Sequence, residues 1–349
     1  MNLQRGIQEC DRSDMLSKLV GFSEQLREAW ERAMKVKVPY RAENIRNVVV
    51  AGMGGSAIGG DIVRCLTYRE IGVPVAVVRH YELPSYVGEG SLVFVSSYSG
   101  ETEETLSAFR EAIERKDQIV CITSGGTVGQ LAEQHGFPIV RIPTGYPPRT
   151  ALGFLTVPIL YVLAGLGLIR PLEEALRETA DLAEELSKRY APDEPDNDAI
   201  RIAEQLLGKV PVVYSSVVPM EAVALRWKGQ FSENGKMLAY ANVFPELNHN
   251  EIVGWGLNRD LQNRIQVIYL KDRGDHERIK HRMDISAEIL RGQTNEIIEV
   301  ETEGHSLMAR MFSLIVLGDY ASYYLALLNK VDPTPVDNIT YLKNRLKEL

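Results

Sequence analysis

An apolar run passes directly into a glycine-rich loop in the stretch Val48-Val49-Val50-Ala51-Gly52-Met53-Gly54-Gly55-Ser56. Such a run followed by glycines predicts a buried strand whose tip leads into a helix. At that junction the N–H groups of the first helical turn and the positive end of the helix dipole converge, and glycine lets the backbone approach a bound group closely. The stretch therefore predicts a strand–loop–helix unit that can hold a phosphate.

A second loop of this kind closes the run Leu92-Val93-Phe94-Val95 and reads Ser96-Ser97-Tyr98-Ser99-Gly100-Glu101-Thr102. Three of its hydroxyl residues, Ser97, Ser99 and Thr102, can face one anion together with backbone N–H groups. Taken alone, the loop also fits an N-cap cluster in which Ser99 caps the following helix. Two such loops in one α/β unit, the second rich in hydroxyls and without lysine, favour a sugar phosphate over a nucleotide.

Length and composition indicate a globular protein with a small-molecule partner. A chain of 349 residues with 45% hydrophobic and 25% charged residues is long enough for two domains. A net charge of −8 removes the broad electrostatic basis for binding nucleic acid. We therefore expect no nucleic-acid partner.

The cysteines and the apolar segments indicate a cytoplasmic protein. Cys10, Cys65 and Cys121 are too far apart to suggest a disulfide framework or a zinc cluster. The N-terminus has no apolar signal segment, and the apolar stretch Phe154 to Ile169 is interrupted by Pro158 and glycines. We expect no membrane partner.

Short Val-rich runs alternate with helical patterns through the first half of the chain, which is typical of a parallel sheet flanked by helices. An amphipathic helix is predicted first, over Asp14 to Val36. Strands are predicted near 47–51, 74–78, 92–96, 118–122 and 138–142, and helices near 57–67, 103–115 and 127–135. After Pro147-Pro148-Arg149 the pattern is helical to about Tyr190.

The acidic, proline-bearing stretch 191–198 is the best candidate linker, and a second α/β pattern follows it. Strands are predicted near 210–214, 265–270 and 296–300, with helices near 197–208, 219–229, 275–290, 305–329 and 334–348. We therefore predict an N-terminal helix in 1–40, α/β domains over 41–190 and 198–330, and a C-terminal helix in 331–349.

The first loop also satisfies a dinucleotide-binding pattern, because Gly52-x-Gly54-x-x-Ala57 follows a strand and opens a helix. That interpretation needs an acidic residue at the end of the next strand to hold a ribose hydroxyl. The run 75–78 leads instead into Arg79-His80, which would at most suit a 2′-phosphate. An NADP-dependent reductase is therefore kept as a minor alternative.

The stretch Ser97-Tyr98-Ser99-Gly100-Glu101-Thr102-Glu103-Glu104-Thr105, which contains most of the second loop, resembles the signature of sugar isomerase (SIS) domains. These domains have a flavodoxin-like fold that binds phosphosugars. The stretches 52–57, Phe231-Ser232-Glu233-Asn234-Gly235-Lys236 and Glu246-Leu247-Asn248-His249-Asn250-Glu251 together resemble bifunctional phosphoglucose/phosphomannose isomerases. The likeness runs from about residue 40 to the C-terminus.

The resemblance implies two SIS domains, each a flavodoxin-like parallel sheet flanked by helices, in a homodimer with sites between domains and subunits. It implies interconversion of glucose 6-phosphate, mannose 6-phosphate and fructose 6-phosphate without a metal or other cofactor, in glycolysis and gluconeogenesis. The phosphate and nearby hydroxyls of the substrate would be held by Gly54, Gly55, Ser56, Ser97, Ser99, Thr102 and Arg149.

By the same resemblance, Glu233 is the base that carries a proton between C1 and C2, and His249 is the acid that opens the sugar ring. A carboxylate suits the first role if partial burial raises its pKa, and an imidazole can change protonation near pH 7. An exposed helix-end glutamate and a solvated loop histidine are the plainer alternatives. The asparagines beside His249 are expected to orient its ring.

Two cations complete the set that the resemblance implies. Arg149, after two prolines, would stabilise the enediolate, and Lys343, in the C-terminal helix, would assist ring opening. Lys347 lies one turn later, and the alternative for either lysine is a helix-end cation that simply favours the helix dipole.

Two further points stay open. Glu251 is a rival to Glu233 because it lies two residues from His249, and a metal site is disfavoured because no ligand spacing supports one. Gly235, where the family pattern leads us to expect alanine, and an apparent extra stretch after His249 are small departures from that pattern. A non-catalytic phosphosugar sensor is the alternative from another class, although the first 40 residues supply no effector segment.

Overall fold

The computed structural model describes residues 3–348 and contains two compact units. The first-sheet unit comprises Gly21–Glu184 and Glu303–Phe312, and the second-sheet unit comprises the residues up to Val20, Glu185–Thr302 and the residues from Ser313 onward.

The first-sheet unit is built on five parallel strands in the order β2-β1-β3-β4-β5. They are β1 (Asn47–Ala51), β2 (Val75–Val78), β3 (Ser91–Ser96), β4 (Gln118–Thr123) and β5 (Ile139–Arg141). All five confirm predicted strands. This is the order of flavodoxin-like folds, in which ligands bind where the order reverses, here between β1 and β3.

Helices surround this sheet, and every residue of β3 is buried, as expected for a parallel strand covered on both faces. The helices are Phe22–Met34, Gly54–Thr67, Glu103–Glu114, Gly126–His135, Leu152–Gly165 and Glu173–Arg189, with short 3-10 turns at Ala42–Asn44 and Pro148–Thr150. The predicted helix 14–36 is two helices, Met15–Val20 and Phe22–Met34, which meet at Gly21.

The second-sheet unit has four parallel strands in the order β7-β6-β8-β9, the same pattern with one strand fewer. They are β6 (Val210–Ser216), β7 (Tyr240–Phe244), β8 (Ile265–Lys271) and β9 (Ile298–Glu301). Sequence reasoning missed β7, a half-exposed edge strand whose pattern is not the continuous apolar run of a central strand.

The helices in the rest of the chain were predicted, except for Leu3–Cys10 and Arg259–Gln262. They are Leu3–Cys10, Met15–Val20, Asp198–Leu206, Glu221–Glu233, Arg259–Gln262, Glu277–Leu290, Leu307–Leu328 and Asp337–Leu346, with 3-10 turns at Glu246–His249 and Glu251–Gly254.

The helix Leu307–Leu328 is long and apolar enough, by length and composition, to cross a membrane. Sequence reasoning did not single it out. In the structure 94% of its most apolar 18-residue window is buried inside the protein, and a buried core helix passes the same test of length and composition.

Asp117 immediately precedes β4, and both of its carboxylate oxygens are buried without a hydrogen-bond partner in the described part of the chain. Burial raises the pKa of Asp117 to about 6. Because the folded-state pKa lies above the unfolded value, the ionised group destabilises the fold at pH values above both, and this penalty disappears as the pH falls below both.

We therefore expect Asp117→Asn to raise the free energy of unfolding by about 2 kcal/mol at pH 8, with the gain shrinking as the pH falls from 6 to 4. Urea unfolding followed by circular dichroism at several pH values measures this. Glu114→Gln, an exposed carboxylate in the preceding helix, is the control. A gain that is equal at pH 4 and pH 8 would contradict the assignment.

Candidate active site

The two predicted phosphate loops meet at the carboxyl edge of the first sheet. Strands β1 and β3 are direct neighbours, with Val50 opposite Phe94 and Ala51 opposite Val95, so their loops begin side by side. A Cβ atom on Gly52 would lie 2.8 Å from the carbonyl oxygen of Ser96, which shows that the two backbones touch. The glycine loop (52–56) and the hydroxyl loop (96–102) therefore form one surface at the point where this fold binds ligands.

Hydroxyl groups shape the hydroxyl loop from within. Ser97 Oγ accepts a hydrogen bond from the Gly100 N–H at 3.1 Å and donates to Thr102 Oγ1 at 3.1 Å, and Ser99 Oγ accepts from the Glu101 N–H at 3.2 Å. The residue that caps the following helix is Thr102, and it makes no side-chain capping bond to the described residues. The alternative in which Ser99 caps this helix is therefore not the observed arrangement.

Neighbouring segments hold the hydroxyl loop from outside. Glu101 accepts hydrogen bonds from the backbone and the hydroxyl of Thr127, at the start of the next helix. Gly100 has φ +72°, and a Cβ there would overlap the Gly125 carbonyl oxygen. The loop is thus built to a fixed shape, which suits a preformed anion site.

The turn that carries Arg149 packs against the glycine loop. A Cβ atom on Gly55 would lie 2.6 Å from the carbonyl oxygen of Pro148. The arginine is 5% exposed and sits in the 3-10 turn Pro148–Thr150. The structure therefore brings the Arg149 turn together with Gly54, Gly55 and Ser56.

Gln25, which sequence reasoning missed, fastens this turn. Its Nε2 donates to the Thr150 carbonyl at 2.8 Å, and its Oε1 accepts from the Gly153 N–H at 2.7 Å. Gln25 is 2% exposed. The signal that could have found it is a polar residue on the apolar face of an amphipathic helix, between Phe22 and Ala29.

The helix predicted near 219–229 extends over Glu221–Glu233, so Glu233 is its last residue and does not lie past its end. It is partly buried and lines a cavity of about 550 Å³ in the second-sheet unit. The cavity is also lined by Ser232, Lys236, Val331, Asp332, Pro335, Val336, Asp337, Asn338 and Ile339.

A row of buried polar side chains orients the helix that carries Glu233. The buried Arg226 forms a bidentate ion pair with Asp319, with Nη2–Oδ2 2.6 Å and Nε–Oδ1 3.0 Å. Gln230 donates to the same carboxylate at 2.8 Å, and Asn234 donates to Ser322 Oγ at 2.9 Å. Because these residues are spaced by four, they share one helix face and limit rotation of the helix.

His249 lies in the same unit as Glu233, at the end of the 3-10 turn Glu246–His249, and it is exposed. The expectation that its flanking asparagines orient the ring is wrong. Asn248 donates to Ser286 Oγ at 2.8 Å, and Asn250 donates to Glu246 at 2.9 Å. The two amides therefore fix the loop backbone on either side of the histidine.

Lys343 and Lys347 belong to the last helical segment. Lys343 is exposed on the helix Asp337–Leu346, and Lys347 is its C-cap residue. Glu251, the rival to Glu233, accepts hydrogen bonds from Tyr214 and Asn242. Within residues 3–348, no group of three or more His, Cys, Asp or Glu side chains is arranged to hold a metal ion.

Arg79, which the dinucleotide interpretation would use, is ion-paired with the buried Asp61. A guanidinium held in this way is partly neutralised, so it is a poorer partner for a 2′-phosphate.

Two family models match this chain, the SIS domain over residues 43–139 and the bacterial phospho-glucose isomerase C-terminal SIS domain over residues 195–346. The bifunctional phosphoglucose/phosphomannose isomerase of Caldicellulosiruptor bescii is 43% identical over 337 residues, which cover 96% of this chain and 99% of the relative. The protein of the same name from Aquifex aeolicus is 39% identical, over 94% of this chain and 97% of its own.

Solved structures agree on the fold. A hypothetical protein from Thermus thermophilus aligns with a TM-score of 0.76 at 16% identity, over 99% of this chain and 92% of that one. Tagatose-6-phosphate ketose/aldose isomerase from Escherichia coli aligns with a TM-score of 0.65 at 14% identity, over 96% and 95%. With relatives matched over nearly their whole length and SIS-domain models matched in both halves, the chain belongs to the family of bifunctional phosphoglucose/phosphomannose isomerases.

Proposed function

We propose that this protein is an aldose–ketose isomerase that interconverts glucose 6-phosphate and mannose 6-phosphate with fructose 6-phosphate. One observation carries the proposal: the glycine loop touches both the hydroxyl loop, at Gly52 and Ser96, and the Arg149 turn, at Gly55 and Pro148. A substrate whose phosphate is held by backbone N–H groups and hydroxyls would then lie beside the turn that carries Arg149, whose guanidinium we propose stabilises developing negative charge.

The residues take the following roles. Gly54, Gly55, Ser56, Ser97, Ser99 and Thr102 hold the phosphate and nearby hydroxyls, and His249 with Lys343 opens the sugar ring. Glu233 removes the C2 proton of the open aldose and returns it to C1, while a proton passes from the C2 hydroxyl to the C1 oxygen. Arg149 stabilises the enediolate between these steps. Partial burial of Glu233 and the anchored helix beneath it support its role.

The enzyme acts on a small sugar phosphate as a cytoplasmic homodimer, in glycolysis and gluconeogenesis, without a metal or other cofactor. The family resemblance supports these points. A non-catalytic phosphosugar sensor would not need Glu233 in a cavity, and a reductase would need Arg79, which Asp61 already engages.

We expect fructose 6-phosphate to form from glucose 6-phosphate and from mannose 6-phosphate when each is assayed separately. Formation from only one epimer would contradict the dual specificity. Formation from neither would contradict the isomerase activity and favour the non-catalytic phosphosugar sensor. As a control for the reductase, fructose 6-phosphate at 100 times its Kd should stabilise the protein by about 2.7 kcal/mol, while NADP should leave the unfolding midpoint unchanged.

A further inference from the structure

The His249 loop, residues 246–254, is two consecutive 3-10 turns that place an exposed imidazole. An exposed ring is not packed into position, so its location depends on what anchors the loop backbone. Asn248 makes such an anchor to the helix Glu277–Leu290, because its Nδ2 donates to Ser286 Oγ at 2.8 Å and its Oδ1 accepts from Arg282 Nη1 at 3.3 Å. Among the described residues, Asn250 bonds only within the loop, where its Oδ1 accepts the Glu251 N–H at 2.6 Å.

Glu251 ties this loop to the sheet through both of its carboxylate oxygens. Oε1 accepts a hydrogen bond from the hydroxyl of Tyr214, and Oε2 accepts one from Asn242 Nδ2 at 2.5 Å. Tyr214 on β6 and Asn242 on β7 are cross-strand neighbours, so the two donors stand side by side. Both oxygens of the Glu251 carboxylate therefore accept hydrogen bonds from residues of the sheet.

Tyr214 is a rigid donor for this contact. It is fully buried and packs against Phe244 and Tyr269 in the core of the second sheet. Burial and the adjacent Glu251 carboxylate raise the pKa of Tyr214 above its usual range. The phenol therefore stays protonated and donates to Glu251 at every pH at which the enzyme would work.

We propose that Glu251 is a positioning residue for His249, which holds the His249 loop on strands β6 and β7 and exchanges no proton with the substrate. This inference rests on the proposed function, in which His249 opens the sugar ring. It also gives the two rival carboxylates different roles: Glu233 lines the cavity, whereas Glu251 accepts hydrogen bonds from Tyr214 and Asn242 on the sheet.

Two variants of Glu251 distinguish positioning from proton transfer. A glutamine at this position can accept from Asn242 through Oε1 and donate to the Tyr214 oxygen through Nε2, so the tie survives without an ionisable group. Alanine removes it. For positioning, we expect Glu251→Ala to lower kcat by about tenfold to a hundredfold while Glu251→Gln stays within about threefold of wild type.

A matched pair of tyrosines provides the control. Tyr214 and Tyr269 are cross-strand partners in one core cluster, but the Tyr269 hydroxyl has no hydrogen-bond partner among the described residues. Tyr214→Phe removes one of the two bonds to Glu251, and Tyr269→Phe removes none. We expect a loss of several-fold in kcat for the first variant and no loss for the second. This pair tests the proposal even if Glu251→Ala fails to fold.

Three readouts complete the experiment. Anomerisation of glucose 6-phosphate, followed by NMR, reports ring opening and closing without transfer of the C2 proton. Exchange of the C2 hydrogen with D2O reports the later step. Hydrogen exchange of the amides of 246–254 reports the loop itself. We expect Glu251→Ala to slow anomerisation by the same factor as isomerisation, with KM little changed, and to speed amide exchange in the loop.

The proposal is overturned if Glu251→Gln is as damaging as Glu251→Ala, which would make Glu251 an acid or base in the reaction. It is also overturned if anomerisation and amide exchange are unchanged in Glu251→Ala, or if Tyr269→Phe costs as much as Tyr214→Phe. Wild-type protein that converts neither epimer would instead refute the proposed function. Amide exchange would still test whether Glu251 holds the His249 loop on the sheet.

Discussion

Glu233→Gln lowers kcat for fructose 6-phosphate formation by about a hundredfold or more, while KM stays within about threefold of the wild-type value. Glutamine keeps the size and hydrogen-bonding reach of the side chain but cannot accept a proton from carbon. The helix beneath it is held by the buried contacts of Arg226, Gln230 and Asn234, which the change leaves in place. Substrate binding should therefore survive while proton transfer fails.

Steady-state assays with glucose 6-phosphate and with mannose 6-phosphate measure this effect, and exchange of the C2 hydrogen with D2O isolates the step. Glu204→Gln, an exposed glutamate of the helix Asp198–Leu206 in the same unit, is the matched control and should leave kcat unchanged. If Glu233→Gln retains wild-type C2 exchange, another group is the base.

Gly55→Ala lowers kcat/KM by about a hundredfold, because a misplacement of about 1 Å is enough for such a loss. A Cβ at this position would lie 2.6 Å from the Pro148 carbonyl oxygen, closer than real contacts allow, and that oxygen belongs to backbone that cannot swing away. The glycine loop and the Arg149 turn must separate, so the residues proposed to bind the phosphate and the arginine proposed to stabilise the enediolate move apart.

Gly72→Ala is the control for this change. Gly72 lies in the same unit, has no positive φ, and a Cβ there would meet nothing within 4 Å. Thermal unfolding distinguishes local displacement from loss of the fold, because overpacking of this kind costs about 1–3 kcal/mol. A Gly55→Ala enzyme with wild-type kcat/KM would show that the Arg149 turn and the glycine loop do not act together.

Local patterns were sufficient for most elements of the fold. The apolar runs of β1 and β3 and the glycines or hydroxyls that follow them are signals within about ten residues, the range over which propensity and turn chemistry act. Those signals predicted five of five strands in the first sheet and placed both loops at strand tips. The edge strand β7 was missed because half-exposure leaves no continuous apolar run.

The contacts that hold the candidate site residues in place could not be predicted from local patterns. Gln25 bonds a carbonyl 125 residues away, and Arg226 meets Asp319 across 93 residues. No local rule pairs residues at these separations, because their proximity depends on how helices pack. The asparagines beside His249 illustrate the same point. Their position in the sequence suggested that they bond the imidazole ring, but Asn248 bonds Ser286 on a distant helix.

The amino-acid sequence by itself determined the alternation of strands and helices, the position of the glycine and hydroxyl loops at strand tips and, by resemblance, the family. Each of these depends on residues that are adjacent in the chain or on short motifs within it. Only the tertiary structure decided that the glycine loop touches both the hydroxyl loop and the Arg149 turn, and that Glu251 is bound to Tyr214 and Asn242 while Glu233 lines a cavity. The physical reason is that side-chain roles depend on burial and on hydrogen-bond partners, which exist only once distant segments have packed together.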